Sequence, residues 1–208
     1  MAALERLRRP VAAAEPPVEH CEICGKPVGP AHSHVADLDQ RAVRCACQGC
    51  YLLFTHPGAA RGRYRAIPSR YRYDPAPRLT AGQWAELGVP VRIAFFFRHT
   101  ALGQYVCHYP GAAGAAEASI PQETWAGVLA ANPAMADGLE PDVEALLVWR
   151  RSTGDFELYA VPIDACYELA GLVRVNWKDA EGGPRVWADI EAFLGRLRAR
   201  SGALGGPA

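Results

Sequence analysis

The sequence predicts an α+β fold in which a small cysteine-rich module precedes a mainly antiparallel sheet packed with helices. Five of the seven cysteines lie between positions 21 and 50, and this change of composition marks a module over about residues 20–56. From about residue 80 to 201, short apolar runs bounded by turn residues alternate with stretches of helical periodicity. A chain of 208 residues is long enough to hold both units.

The two ends of the chain are predicted to be tails. Glu15 and the pair Pro16-Pro17 interrupt the short apolar run within residues 1–19, so this segment is predicted to be mobile and not a signal peptide. Residues 202–208 are predicted to form a second mobile tail.

The charges of the chain balance, because 22 lysines and arginines face 22 aspartates and glutamates. This neutrality argues against a general electrostatic preference for nucleic acid or an anionic membrane. No run of about 18 apolar residues occurs, so no membrane span is predicted. We therefore expect a cytoplasmic protein, in which cysteines favour metal or redox chemistry over disulfides.

Four cysteines of the module form two CxxC pairs. Cys21 and Cys24 are followed by Gly25, which permits the unusual backbone dihedral of a tight metal-binding turn. Cys47 and Cys50 form the second pair, 22 residues after the first. This spacing is typical of a tetrahedral sulfur site, so the four cysteines are the predicted ligands of a zinc-ribbon-like module.

The residues between the two pairs are predicted to form a β-hairpin that returns the chain to the metal. If Asp39-Gln40 are the two turn residues, Ala36 pairs with Val43, His34 with Cys45 and His32 with Cys47, all on one face of the hairpin. A three-residue turn would break this alignment.

The same alignment leaves the exact ligand set open. Cys45 is an alternative to Cys47, and His34 or His32 is an alternative to one thiolate. A second site from His20, His32, His34 and Cys45 lacks a compelling spacing. Reduced thiols buried in a core are the simplest competing interpretation, and the clustering of five cysteines argues against it.

Zinc is the predicted metal, since a closed sulfur site lets a short segment fold without a large core. Iron in a rubredoxin-like four-cysteine site uses the same ligands and remains the alternative. A rubredoxin-like turn would carry glycine after both pairs, and Tyr51 replaces the second glycine here.

Residues 57–79 are predicted to form an extended connector rich in arginine, tyrosine and proline. Arginines and aromatics together can bind phosphates and stack bases, or bind an acidic protein partner. The simpler interpretation is that the tyrosines dock on the second domain while the arginines stay solvated. The candidate partner-binding residues are Arg63, Tyr64, Arg65, Arg70, Tyr71 and Arg72.

The second domain is predicted to span 80–201. Strands are predicted at 91–98 and 103–110, followed by a loose loop at 111–119, and a hairpin is predicted at 143–163 with Gly154 in its turn. Ser119 is the predicted N-cap of a helix that ends at Asn132-Pro133, and Asp164 the predicted cap of the next. A final amphipathic helix buries Val186, Ile190, Phe193, Leu194 and Leu197.

No catalytic constellation is evident, so the protein is not predicted to be an enzyme. Cys107 and His108 are adjacent on a predicted strand and therefore point to opposite faces. Cys166 lies in a predicted helix, where a cysteine is most often a small buried residue. The acidic residues of this domain are explained by hairpin surfaces and helix capping.

Three stretches carry a resemblance to a known family: "CEICG" with "HSHVADLDQRAVRCACQGCYLLF", then "EPDVEALLVWR" and "VPIDACYELAGLVRVNW". Over residues 20–200 the chain resembles an uncharacterised bacterial family encoded in gene clusters of high-affinity uptake [NiFe]-hydrogenases. The resemblance implies an accessory protein that assists assembly, maturation or electron transfer, with hydrogenase subunits as its protein client. A rubredoxin-like electron carrier and a zinc-ribbon nucleic-acid binder are the alternatives.

Overall fold

The computed structural model describes residues 18–56, 58–176 and 183–203. Nearly all of the tail predicted at 1–19 and residues 204–208 of the second tail lie outside the described residues. Within them, two β-sheets and the helices packed on them confirm the predicted α+β class.

A three-stranded antiparallel sheet forms the N-terminal module, in the order β2-β1-β3. The strands are β1 (Ser33–Asp37), β2 (Ala42–Ala46) and β3 (Tyr64–Ala66). His34 lies opposite Cys45 and Ala36 opposite Val43, which is the predicted register.

The turn of this hairpin is longer than predicted. Pairing ends at Asp37 and Ala42, so four residues form the loop, and Arg41 adopts a positive φ of 50°. The Asp37 carboxylate accepts a hydrogen bond from the Gln40 amide, which stabilises the loop without changing the register.

The module has little core of its own. Its own apolar cluster has three buried members, Val35, Ala46 and Phe54, with partly buried side chains around them. Helix α1 (Gln48–Leu53) follows β2, and a tight turn at Ala59–Gly62, in which Ala60 and Arg61 adopt positive φ, leads into β3. A core of this size is too small to stabilise a fold alone, so a metal or the neighbouring domain must contribute.

A seven-stranded sheet forms the second unit, in the order β10-β4-β9-β8-β5-β6-β7. Its pairs are antiparallel except β10 with β4. The strands are β4 (Arg72–Asp74), β5 (Ile93–His99), β6 (Gln104–Gly111), β7 (Gly114–Ala118), β8 (Glu144–Arg150), β9 (Phe156–Pro162) and β10 (Gly202–Ala203).

Strand β7 corrects the loose loop predicted at 111–119. Gly111 pairs with Gly114 around a two-residue turn, and Gly114, the first residue after the turn, has a positive φ of 108° that glycine adopts readily. The strand is missed because alanine and glycine have low strand propensity, and pairing with β6 overrides that preference.

Helices cover both faces of this sheet. On one face lie α5 (Ile163–Asn176) and α6 (Gly183–Arg200), which bury the five predicted apolar residues of the final helix. On the other lie α2 (Ala81–Glu86), α3 (Gln122–Ala131) and α4 (Pro133–Ala136). Among the described residues, none of the helices combines the length and apolar character needed to cross a bilayer.

The capping predicted for two helices is wrong. Pro121 takes the N-cap position of α3 where Ser119 was expected, and the Gln122 side chain instead bonds the backbone of Tyr105. Asp164 lies within the first turn of α5 and not before it. A local sequence pattern typical of a helix cap is thus overridden where the side chain forms a tertiary contact instead.

The predicted connector contributes to both sheets. Its first half contains β3, which pairs with β1, and its second half contains β4, which pairs with β9. Residues 202 and 203 of the predicted second tail form β10, which pairs with β4. The module also packs directly on the second core through Ala36, Leu38 and Val43.

Candidate metal centre

The first CxxC pair sits on a tight turn. His20 and Pro27 form a β-bridge, and inside it the Cys21 amide donates to the Lys26 carbonyl at 2.8 Å. The Gly25 amide donates to the Cys21 carbonyl at 2.8 Å, with Gly25 at a φ of 74°. The turn therefore uses the positive φ that the sequence predicts at Gly25.

The second CxxC pair opens a helix. Strand β2 ends at Ala46, Cys47 is the N-cap of α1, and Cys50 lies in the first turn. The Tyr51 amide donates to the Cys47 carbonyl at 2.9 Å. A helical turn needs no positive φ, which explains why Tyr51 occurs here instead of glycine.

These two elements bring the four predicted ligands together. The sulfur atoms of Cys21, Cys24, Cys47 and Cys50 lie within 4.8 Å of one another, and those of Cys24 and Cys47 are 3.7 Å apart. Zn–S bonds of about 2.3 Å in a tetrahedron place sulfur atoms about 3.8 Å apart. The cluster fits a four-coordinate metal with small side-chain adjustments.

Burial and hydrogen bonding give the four thiols different pKa values. Burial opposes ionisation of Cys21, but the amides of Cys47, Cys24 and Ile23 donate to its sulfur and lower the pKa of Cys21 to about 6. Burial, together with the three neighbouring thiols, raises the pKa of Cys50 to about 12. A bound dication compensates the repulsion among thiolates, so this donor set suits a metal ion.

The alternative ligands lie in a separate group. Cys45, His32 and His34 have their ligand atoms within 4.8 Å of one another, apart from the four-cysteine cluster. Glu22 anchors this part of β2, because its carboxylate accepts from the Cys45 amide at 2.8 Å. The structure thus groups Cys47, and not Cys45, with Cys21, Cys24 and Cys50, and the choice of metal ligands stays a prediction.

Sequence reasoning missed one residue near this group. The His34 ring bonds the carboxylate of Asp164, 130 residues away in the chain, at 2.8 Å. The sequence contains no signal for this pair, since Asp164 matches a helix-cap pattern as well as any other role.

The arginines of the connector bind the protein itself. Arg63 forms two hydrogen bonds to the buried Asp37 carboxylate, at 2.8 and 3.1 Å. Arg65, Arg70 and Arg72 reach across to the stretch that runs from α4 to the first residue of β8. Their acceptors include the Pro141 carbonyl, the Glu144 carboxylate and the carbonyls of Ala134, Met135 and Asp137.

The connector tyrosines are half-buried. Tyr64 packs on Phe54 with ring centroids 5.0 Å apart, and the Arg200 guanidinium lies 4.0 Å from the Tyr71 ring centroid. Tyr71 docks on the second unit, as the simpler interpretation of the connector predicts, but Tyr64 docks on the N-terminal module. The arginines are paired and not merely solvated. Partner binding by these six residues stays a prediction, and it would compete with these contacts.

The remaining cysteines occupy cores. Cys107 belongs to the core under α2 and α3, while His108 stacks on Phe95 and Phe97 on the other face of the sheet. Burial raises the pKa of Cys107 to about 12 and raises that of Cys166 as well, so both stay protonated thiols at neutral pH.

The fold and the cluster together define an α+β protein with a four-cysteine site of metal-binding geometry near its N-terminus. The chain belongs to DUF5947, a family of unknown function whose model matches residues 20–201. No curated protein and no solved structure matches the chain. The predicted membership of an uncharacterised family is confirmed, and the link to hydrogenase gene clusters stays a prediction.

Proposed function

We propose that this protein is a non-catalytic accessory protein in which Cys21, Cys24, Cys47 and Cys50 hold a structural zinc ion. The observation that carries the proposal is the approach of four sulfur atoms to within 4.8 Å, with one pair at 3.7 Å. A closed set of four thiolates leaves no coordination position for a substrate, which is typical of a structural site.

The small core of the module supports this role for the metal. An apolar cluster with three buried residues is too small to offset the conformational entropy lost when the first CxxC turn, the hairpin and helix α1 become ordered. Zinc bound to four thiolates contributes its binding free energy directly to folding. A cytoplasmic location would keep the thiols reduced for this purpose.

The first experiment measures the metal. The protein is purified without chelator from cells supplied with both iron and zinc, and metal per chain is measured with the visible absorption spectrum. We expect a zinc-loaded, colourless sample with little iron. Iron with thiolate charge-transfer bands that bleach on reduction would contradict the structural role.

That second outcome would indicate a rubredoxin-like electron carrier. One observation favours this candidate: Cys24 is exposed, so electrons could reach a metal at this site from the surface. The reduction potential of the bleaching transition would then be the quantity to compare with that of a redox partner.

We further propose that the client is a protein, with [NiFe]-hydrogenase subunits suggested by the family resemblance. Leu52 and Leu53 on α1, two and three residues after Cys50, are 56% and 59% exposed. Two neighbouring exposed leucines beside a rigid metal site form a suitable contact surface. Metal binding would hold α1 in place for this contact.

Binding of purified hydrogenase subunits by titration calorimetry tests the client. The double substitution Leu52→Ser and Leu53→Ser is expected to abolish binding while leaving the zinc content unchanged. Leu102→Ser is the matched control, because Leu102 is also exposed (47%) but lies in the second unit. No binding by the unsubstituted protein would overturn the hydrogenase assignment and leave the zinc site untouched.

A further inference from the structure

A second group of metal-binding side chains lies on the hairpin face that is directed towards α5. His34 on β1 and Cys45 on β2 are register partners, and His32 precedes His34 by two residues, on the same face. The ligand atoms of these three residues lie within 4.8 Å of one another. None of the three belongs to the four-cysteine cluster.

Hydrogen bonds orient both imidazole rings. The Nδ1 of His34 is 2.8 Å from an Asp164 carboxylate oxygen, and the Nδ1 of His32 is 2.8 Å from the Gly29 carbonyl oxygen. Carboxylate and carbonyl oxygens only accept, so each Nδ1 carries the hydrogen. In the neutral rings the lone pair is therefore on Nε2, the atom that would bind a metal.

One of these lone pairs is unsatisfied. The His32 side chain is 9% exposed, and its Nε2 is buried with no hydrogen-bond partner among the described residues. Buried polar atoms without partners are rare in native proteins, and each needs an explanation such as an ion. A metal ion between the three side chains would satisfy this atom.

We propose that His32, His34 and Cys45 form a second metal site, which binds a divalent transition-metal ion of the zinc class through two Nε2 atoms and one sulfur. Bond lengths of about 2.0–2.3 Å bring such ligands to about 3.3–3.6 Å from one another, so the side chains close slightly on the ion. Binding releases the thiol proton of Cys45 to solvent.

The surroundings suit a cation. Asp164 holds the His34 ring in the arrangement of a carboxylate–histidine–metal triad, which makes it a positioning residue. A carboxylate oxygen of Glu19 lies 3.4 Å from the His32 Nδ1, and Glu22 accepts from the Cys45 amide. The Asp164 and Glu19 carboxylates and the Cys45 thiolate balance the charge that the ion brings, whereas Glu22 is itself paired with Arg44 at 3.0 Å.

This site differs from the four-cysteine site in being open. Three protein ligands leave a fourth position for water or an added ligand. Both histidines line a cleft of about 940 Å³, together with Tyr71, Asp164, Glu168 and Arg200. The ion is therefore exchangeable, whereas four thiolates retain theirs.

The test uses Co²⁺ as a coloured probe of this site. Full-length protein with zinc in the four-cysteine site is titrated with Co²⁺, and the visible and near-ultraviolet spectra and zinc content are followed. We expect one additional Co²⁺ per chain, with d–d bands of a tetrahedral ion, one sulfur-to-cobalt charge-transfer band, and zinc retained.

Variants assign the ligands. His32→Ala and His34→Ala are expected to remove the cobalt bands, and Cys45→Ser to remove the charge-transfer band. Asp164→Asn is expected to weaken Co²⁺ binding by about 10–100-fold while keeping the band positions. His56→Ala, which changes an exposed histidine outside the group, is the matched control and is expected to have no effect.

Retained zinc in each variant shows that the fold is intact, so a folding defect is separated from the loss of a ligand. If the Cys45→Ser variant also loses the zinc of the four-cysteine site, the result for His32→Ala decides whether the second site exists, because this variant keeps every cysteine. The absence of cobalt binding beyond the sulfur site, or unchanged affinity in His32→Ala, would overturn the proposal.

Discussion

Cys24 is the most exposed of the four predicted metal ligands, since it is exposed while Cys21 is buried and Cys47 and Cys50 are intermediate. Its sulfur is 3.7 Å from that of Cys47, so this pair joins the turn at 21–24 to the start of α1. Removing one sulfur therefore separates the two elements as well as lowering the number of ligands.

Cys24→Ser is expected to reduce the zinc content to near zero and to unfold the N-terminal hairpin, because three thiolates bind zinc more weakly and do not close the site. Elemental analysis and far-ultraviolet circular dichroism measure the two effects. Cys107→Ala, which changes a buried cysteine of the second core, is the control and is expected to keep its zinc. A Cys24→Ser protein with full zinc content would contradict the ligand assignment.

The partly buried ring of His108 has a pKa that is shifted by its apolar surroundings. Its ring lies 5.6 Å from that of Phe95 and 5.5 Å from that of Phe97, and burial lowers the pKa of His108 below its usual 6.5, with smaller effects of Glu117, His99 and Arg41. The folded state thus prefers the neutral ring.

This preference predicts a loss of stability on acidification. Above pH 6.5 both states carry a neutral ring; as the pH falls below 6.5, the unfolded state takes up a proton that the folded state resists. His108→Phe keeps an aromatic ring between the two phenylalanines and is expected to show a smaller decrease in Tm between about pH 7.5 and about pH 5.5. Parallel Tm curves for the two proteins would contradict the prediction.

At the scale of elements, the segment at 57–79 connects the two sheets through both its strands and its arginines. The composition of this segment does not show whether its side chains bind a partner or the protein itself. Arginine and tyrosine occur both in nucleic-acid sites and in internal ion pairs and packing contacts. Arg70 is the clearest internal case, with its Nε 2.6 Å from a carboxylate oxygen of Glu144, whose side chain is 2% exposed.

Arg70→Ala is expected to destabilise the fold by about 2–3 kcal/mol, because it leaves the Glu144 carboxylate buried without its cation. Urea unfolding monitored by tryptophan fluorescence measures the change. Arg196→Ala is the matched control: Arg196 and Glu168 are both more than half exposed, and such a pair contributes at most about 1 kcal/mol. Equal effects of the two substitutions would show that the Arg70 pair is no stronger than a surface pair.

At the scale of the whole molecule, stability comes from different sources in the two units. The second unit buries two large apolar clusters on opposite faces of its sheet, whereas the module buries a small one, and in our proposal a bound metal supplies the remaining stability. The module is tied to the second unit by Ala36, Leu38 and Val43, and by the contact of His34 with Asp164.

Removal of the metal with a strong chelator is therefore expected to unfold the module selectively. Hydrogen exchange should become fast in β1 and β2, while β5, β8 and β9 keep their protection, because the central strands are buried on both faces. Exchange that stays slow in β1 and β2 after complete loss of zinc would show that packing alone maintains the module. Re-addition of zinc is the control for reversibility.

The sequence by itself determined the α+β class, the four cysteines and the hairpin register, because these depend on local spacing and on side-chain alternation. It also indicated the buried face of the last helix through its periodicity. Tertiary structure alone decided strand β7, the internal pairing of the connector arginines and the contact of Asp164 with His34. Each of these depends on residues distant in sequence, whose approach is set by packing of the whole chain and leaves no local pattern.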